Sequence, residues 1–280
     1  MALALLDEPR IDCHVHILDP DRFPYREDTH YRPGGQEIGT LDQLLRVMDV
    51  YGARHALIVG PNSGYGFDNR CLQDALARSE GRCKGVAVVR NDASVAELEA
   101  LKAAGVVGVT WNVSHYGVDY FAGAAAMLGR LRDLDLAVDV QVIEDQLVPL
   151  APMLIRSGVR ILIDHCGRPT PAEGLGQPGF RALLDLAATG RAYVKLSGLI
   201  KFSRERPPHR DTWPFVHALL TAYTAARCMW ASDWPYLRAP AHIDYGPWIA
   251  DFAALLPDAA ARHQVLWQTP TALFGFPSTR

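Results

Sequence analysis

Three polar blocks carry the residue types from which a hydrolytic centre can be built: Asp12-Cys-His14-Val-His16, Asp164-His165-Cys-Gly-Arg-Pro169 and Ser232-Asp233-Trp-Pro235. In an extended segment, side chains two apart share a face, so His14 and His16 point the same way and can chelate a metal or grip a carboxylate. Asp233 follows the apolar run Cys228-Met-Trp-Ala231. A carboxylate buried there without a partner would be costly. His14, His16 and His165 could supply that partner, directly or through a divalent ion, and a carboxylate so held is a credible general base toward water.

The elements that must position these blocks alternate along the whole chain. Strand-length apolar runs lie at Ile11–Ile17, His55–Gly60, Gly85–Val89, Val106–Trp111, Ala137–Val142, Arg160–His165, Ala192–Leu196 and Cys228–Ser232, with stretches of helical spacing after each. Thr40 and Ser94 stand where helix N-caps are needed. Eight strand-helix units in 280 residues fit one α/β domain over 1–280, a single (β/α)8 TIM barrel, better than an open doubly wound sheet. Two long insertions, residues 19–39 and 198–212, follow strands one and seven and would build the pocket at the catalytic face. Each chemical block then closes a strand at that face.

Composition narrows the partners. With 49% hydrophobic and 21% charged residues and a formal charge of −3, the chain is globular and has no basic field for nucleic acid or an anionic membrane. No apolar run approaches the roughly 20 residues that span a bilayer. The start, Met1 to Asp7, has no basic leader, and the five cysteines, Cys13, Cys71, Cys83, Cys166 and Cys228, suit reduced buried thiols, so a cytoplasmic protein is expected. Neither GxGxxG nor GxxxxGK[ST] occurs, which argues against a nucleotide cofactor, and Gly60 to Gly66 lacks the GxSxG elbow of serine hydrolases. A small molecule is the expected partner, bound by a monomer or small homo-oligomer.

Taken together with Phe23-Pro-Tyr25 and Val194-Lys-Leu-Ser197, the three blocks resemble, in order, the signatures of the amidohydrolase superfamily. Within it they resemble the branch containing 2-pyrone-4,6-dicarboxylate lactonase and related sugar and muconolactone lactonases. The resemblance implies an amidohydrolase-like barrel that opens a small lactone by water attack on the ester carbonyl, with Asp233 as general base and His14, His16 and His165 around the carbonyl. In metal-using relatives the equivalent residues hold one divalent ion, zinc or manganese here, whereas the pyrone lactonase needs none, so the cofactor is either one such ion or absent. A binuclear site is disfavoured, because strand four ends Thr110-Trp-Asn112, strand five carries Gln141, and Lys195 lies in strand seven.

The arginines and tyrosine that grip two carboxylates in the pyrone enzyme correspond to Thr110, Tyr116 and Gln141, a loss of fixed-fork charge. Lys201 is expected to keep one cationic contact, with Tyr31, Ser63, Tyr116, Gln141, His115 and Arg238 as further substrate contacts. Lys195 reads equally as a structural ion pair or a substrate group. Trp111, Trp230 and Trp234 are expected to form one pocket wall, and the segment from Leu266 to Phe276 to be structural. Two other readings remain open: a metal-dependent decarboxylase or hydratase on the same scaffold, and a non-catalytic small-molecule binding barrel.

Overall fold

The computed structural model describes residues 5–277. Met1–Ala4, part of the segment read above for a leader, lie outside the described residues. Eight parallel strands follow one another in chain order: β1 (Arg10–Val15), β2 (Ala53–Val59), β3 (Cys83–Ala87), β4 (Val106–Asn112), β5 (Ala137–Gln141), β6 (Arg160–Ile163), β7 (Ala192–Leu196) and β8 (Cys228–Trp230). One longer helix follows each strand: α1 (Leu41–Tyr51), α2 (Arg70–Arg78), α3 (Val95–Ala103), α4 (Ala125–Asp133), α5 (Leu147–Ser157), α6 (Pro178–Leu186), α7 (Trp213–Tyr223) and α8 (Tyr245–Leu255). Thr40 and Ser94 cap α1 and α3 by accepting from the backbone N–H of Gln43 and Glu97. The sheet closes beyond the end of β8, where His16 N–H donates to the Trp234 carbonyl (2.8 Å) and Asp233 N–H to the His14 carbonyl (2.9 Å). Closure therefore falls at the catalytic face and ties the histidine block to the Asp233 block. This is the expected (β/α)8 barrel. No helix among the described residues is long and apolar enough to cross a membrane.

Strand alternation sorts side chains into an inner and an outer set. Ile11, Leu57, Val59, Val86, Leu162 and Met229 face the barrel interior, which the closing segment seals with Trp267, Phe274 and Phe276. Val138, Ile161, Val194 and Trp230 face the helices. The β1–β2 register slips between Asp12 and Val15, so Cys13 packs in the inner set while His14, its neighbour, also turns inward toward Asp164. Outward alternation overturns the expected tryptophan wall. Trp111 packs on Phe121 (4.8 Å between centroids), Trp230 lies against Tyr245 and Phe252, and Trp234 covers Gly39, so none of the three lines the main cavity.

Between the apolar floor and the mouth lies an ionic layer. Lys195, fully buried on β7, bonds Asp139 of β5 (2.7 Å) and Asp164 after β6 (2.9 Å), and does not line the main cavity. Burial opposes its charge, but the two carboxylates hold its pKa above the usual lysine value. Replacing Lys195 by Met would strand two buried carboxylates. We expect Lys195→Met to destabilise the fold by about 3–5 kcal/mol, read from the urea midpoint, because breaking one side of a buried charge network leaves the other uncompensated.

Candidate active site

Each histidine is tethered through Nδ1. His14 Nδ1 donates to Asp164 Oδ1 (3.1 Å), His16 Nδ1 to the Val59 carbonyl (2.7 Å) and His165 Nδ1 to Ser197 Oγ (2.9 Å). The carboxylate and the carbonyl, which only accept, fix the tautomers of His14 and His16, and the three bonds turn three Nε2 atoms to one point. All three stand 3.7 Å from Asp233 Oδ1, and those of His14 and His16 are 3.3 Å apart. Lys201 Nζ contacts the other carboxylate oxygen, Oδ2, at 2.5 Å.

Burial pushes the His14 imidazole down to about 4, against the pull of Asp164, and drives His165 well below the ordinary histidine value. For Asp233, burial favours the neutral acid, but Lys201 and then His165 outweigh it and hold the carboxyl well below the usual range. His14 and His165, both held toward the neutral form, thus converge with His16 and an ionised carboxylate. His165 Nε2 and Asp233 Oδ1 are buried without a hydrogen-bond partner. Such a set fits a divalent cation: ligands bound at about 2.0–2.1 Å around one tetrahedral ion stand roughly 3.3 Å apart. His14, His16, His165 and Asp233 are the residues that would hold it.

The turns that present these groups are held from behind. Asp233 and His165 both have positive φ (66° and 51°), an unusual conformation for residues with a side chain. Asp12 secures the first by accepting from Ser232 N–H (2.9 Å) through Oδ1 and from the Tyr245 hydroxyl (2.9 Å) through Oδ2. Gly198 secures the second by lacking a side chain: its φ is +61°, and a Cβ there would lie 2.7 Å from His165 Cγ and Nδ1. Gly198→Ala is therefore expected to push His165 out of register and to cost about 10–100-fold in kcat/KM or metal affinity, the range seen when a ligand loses its outer support. The fold should lose no more than about 2 kcal/mol from the left-handed alanine. Parallel metal titration and thermal melts check this.

Above the cluster opens a cavity of about 460 Å³. His14, His16, Ser63, Gln141, Lys201 and Arg238 line it, together with His115 and three residues that sequence reasoning did not single out, His30, Asn112 and Arg168. Tyr31 and Tyr116 do not line it. The Tyr31 hydroxyl donates to Glu37 (2.6 Å) and its ring carries the Arg238 guanidinium at 5.2 Å, while the Tyr116 hydroxyl accepts from Asn62 Nδ2 (3.2 Å) and its ring stacks on Tyr120. Both brace loops rather than face a ligand. Arg168 and Arg238 have no carboxylate partner among the described residues. Burial, with Asp233 and Arg238 close by, leaves the Arg168 guanidinium below its ordinary pKa, and its Nε bonds nothing.

The sequence profile described as amidohydrolase matches residues 11–276. The chain belongs to the amidohydrolase family. This amidohydrolase is 32% identical over 274 residues to the 4-sulfomuconolactone hydrolase of Rhizobium radiobacter, covering 94% of its own chain and 89% of the relative. It is 26% identical over 277 residues to the 2-pyrone-4,6-dicarboxylate hydrolase of Comamonas testosteroni, covering 94% and 89%. Among solved structures it resembles one from Pseudomonas putida, a candidate 2-pyrone-4,6-dicarboxylic acid hydrolase, with a TM-score of 0.86, 30% identity, and 96% and 98% of the two chains covered. The expected ligand residues of the amidohydrolase lie in one cluster; of its outer supports, Asp12 and Ser197 fall inside the sequence blocks without a role assigned to them, and Gly198 falls just beyond one.

Proposed function

We propose that this amidohydrolase opens a small lactone bearing an acidic group by adding water to the ester carbonyl. The observation that carries the reading is an ionised Asp233 set against His14 and His16, which line the cavity together with Arg168 and Arg238, two guanidiniums in no ion pair among the described residues. Unpaired arginines facing a cavity favour a carboxylate or sulfonate, which they bind through charge-assisted bonds. The names of the relatives, hydrolases of a sulfonated and a dicarboxylated lactone, agree with that charge.

The acidic group docks between Arg168 and Arg238, which leaves the ring ester toward the histidines. Asp233 Oδ1, which accepts no hydrogen bond from the protein, takes a proton from water as the water oxygen bonds the carbonyl carbon. The ring C–O bond then breaks, and the proton held on Asp233 passes to the departing alkoxide, so ring and water become one hydroxy acid. Lys201 keeps the carboxylate ionised between turnovers. His14, His16, His165 and Asp233 would hold one zinc or manganese ion, and such an ion polarises the carbonyl and lowers the pKa of water. The five cysteines, all free and buried, suit a reducing cytoplasm.

The reading is tested by a panel of acidic lactones and aromatic acids followed by proton release and product chromatography. Ring-opened hydroxy acid with one proton released per turnover supports it. Carbon dioxide from the aromatic acids, with the lactones untouched, would replace it with decarboxylation.

A further inference from the structure

The cavity wall formed by the ends of β4 and β5 has a fixed hydrogen-bond polarity. His115 N–H, which can only donate, points to Asn112 Oδ1 (3.1 Å), so that atom is the amide oxygen and not the nitrogen. The Ser114 hydroxyl spends its one proton on the same oxygen (2.7 Å). Ser114 Oγ must then accept, and does so from Gln141 Nε2 (3.1 Å). The chain of bonds therefore ends with Gln141 Oε1, an acceptor with no hydrogen-bond partner among the described residues, on a residue that lines the cavity with Thr110 and Asn112, whose Nδ2 likewise has none among them. No Lys or Arg of β4 or β5 lines the cavity; its cations are Arg168, Lys201 and Arg238, from the loops after β6, β7 and β8. His30 and His115, stacked 3.8 Å apart at the cavity wall, are held toward the neutral form by burial.

We infer that the substrate is a hydroxylated acidic lactone, one of whose hydroxyls donates to Gln141 Oε1. The inference rests on the lactone-hydrolase reading and narrows it. A hydroxyl both donates and accepts, so adjacent hydroxyls satisfy Gln141 Oε1, Thr110 and Asn112 Nδ2 together. A carboxylate set against Gln141 Oε1 would bring one acceptor against another, because an ionised carboxylate has no proton to donate. The anionic group is served by Arg168 and Arg238. A site with a buried group committed to a substrate hydroxyl rejects the analogue that lacks it far more strongly than an apolar pocket rejects a missing methylene.

The test compares kcat/KM for D-glucaro-1,4-lactone with that for muconolactone, an unsaturated monoacid lactone without hydroxyls, in the wild type, Gln141→Leu and Ser114→Ala. Alongside, calorimetry compares binding of the open-chain acids glucarate and adipate. The wild type should favour the hydroxylated lactone by about 100-fold or more, and Gln141→Leu should reduce that ratio by about tenfold or more. Ser114→Ala, which frees the Gln141 amide to rotate, should move the ratio the same way by less. A wild type that prefers muconolactone, or a ratio unchanged in both variants, overturns the inference. If neither lactone is opened yet glucarate binds about tenfold more tightly than adipate and loses that advantage in Gln141→Leu, the hydroxyl site stands and the hydrolase reading falls. Equal binding of the two acids with no turnover overturns the inference as well.

Discussion

Asp233→Asn is expected to lower kcat for lactone opening by about 10³-fold or more while the protein still folds and binds the acidic product. The amide keeps the shape of the side chain and loses the negative charge that three Nε2 atoms face at Oδ1 and Lys201 meets at Oδ2. Removal of a positioned acid-base group costs about 10²–10⁴-fold, and here the same oxygen also belongs to the cluster suited to a cation, which places the loss at the upper end. The position itself should be retained, because Asp233 is presented by its backbone: its N–H donates to the His14 carbonyl, and Asp12 holds Ser232 beside it. Steady-state kinetics with a product-binding isotherm read both parts. A variant that turns over within about tenfold of the wild type would remove Asp233 from proton transfer.

The second large effect is expected from chelation. Exhaustive dialysis against a chelator should abolish turnover, and zinc or manganese at one equivalent should restore it, because the three imidazoles are each tethered through Nδ1 with Nε2 turned toward Asp233 Oδ1. In His16→Ala, metal affinity should fall beyond the roughly 10–100-fold that loss of an outer partner costs. Elemental analysis and isothermal titration measure this. Undiminished turnover after chelation would assign the four groups to proton transfer and carbonyl hydrogen bonding without a metal.

Much of this architecture can be read from the chain because it depends on period. Apolar runs of four to seven residues separated by helical spacing locate all eight strands, and the two-residue parity of His14 and His16 survives into the barrel mouth. Parity also fails in one place. The slipped β1 register turns Cys13 and His14 inward together, and nothing in Asp12-Cys-His14 marks it. Lys195 between Val194 and Leu196 is a visible anomaly, but its partners Asp139 and Asp164 come from other strands, and only the closed ring brings them to 2.7 and 2.9 Å.

The ligand wall was less legible than the cluster. Arg168 lies inside a recognisable block, yet its inward aim depends on a left-handed backbone (φ 46°) that residue type does not announce. Loops carry no period, so His30 and Tyr31, adjacent in one loop, could not be told apart: His30 lines the cavity while Tyr31 turns to Glu37. Tyr116 likewise braces Asn62 where a substrate contact was expected, and Asn112 and Ser114, overlooked in sequence, orient the amide of Gln141.

The central claim is that water bonds the lactone carbonyl carbon. A single-turnover reaction of wild-type enzyme with an acidic lactone in ¹⁸O-water, quenched and resolved by fragment mass spectrometry, tests it most directly. One ¹⁸O in the newly formed carboxylate, with none in the new hydroxyl, is the predicted result. Label in the hydroxyl carbon, an isomerised lactone without label, or release of carbon dioxide would contradict it.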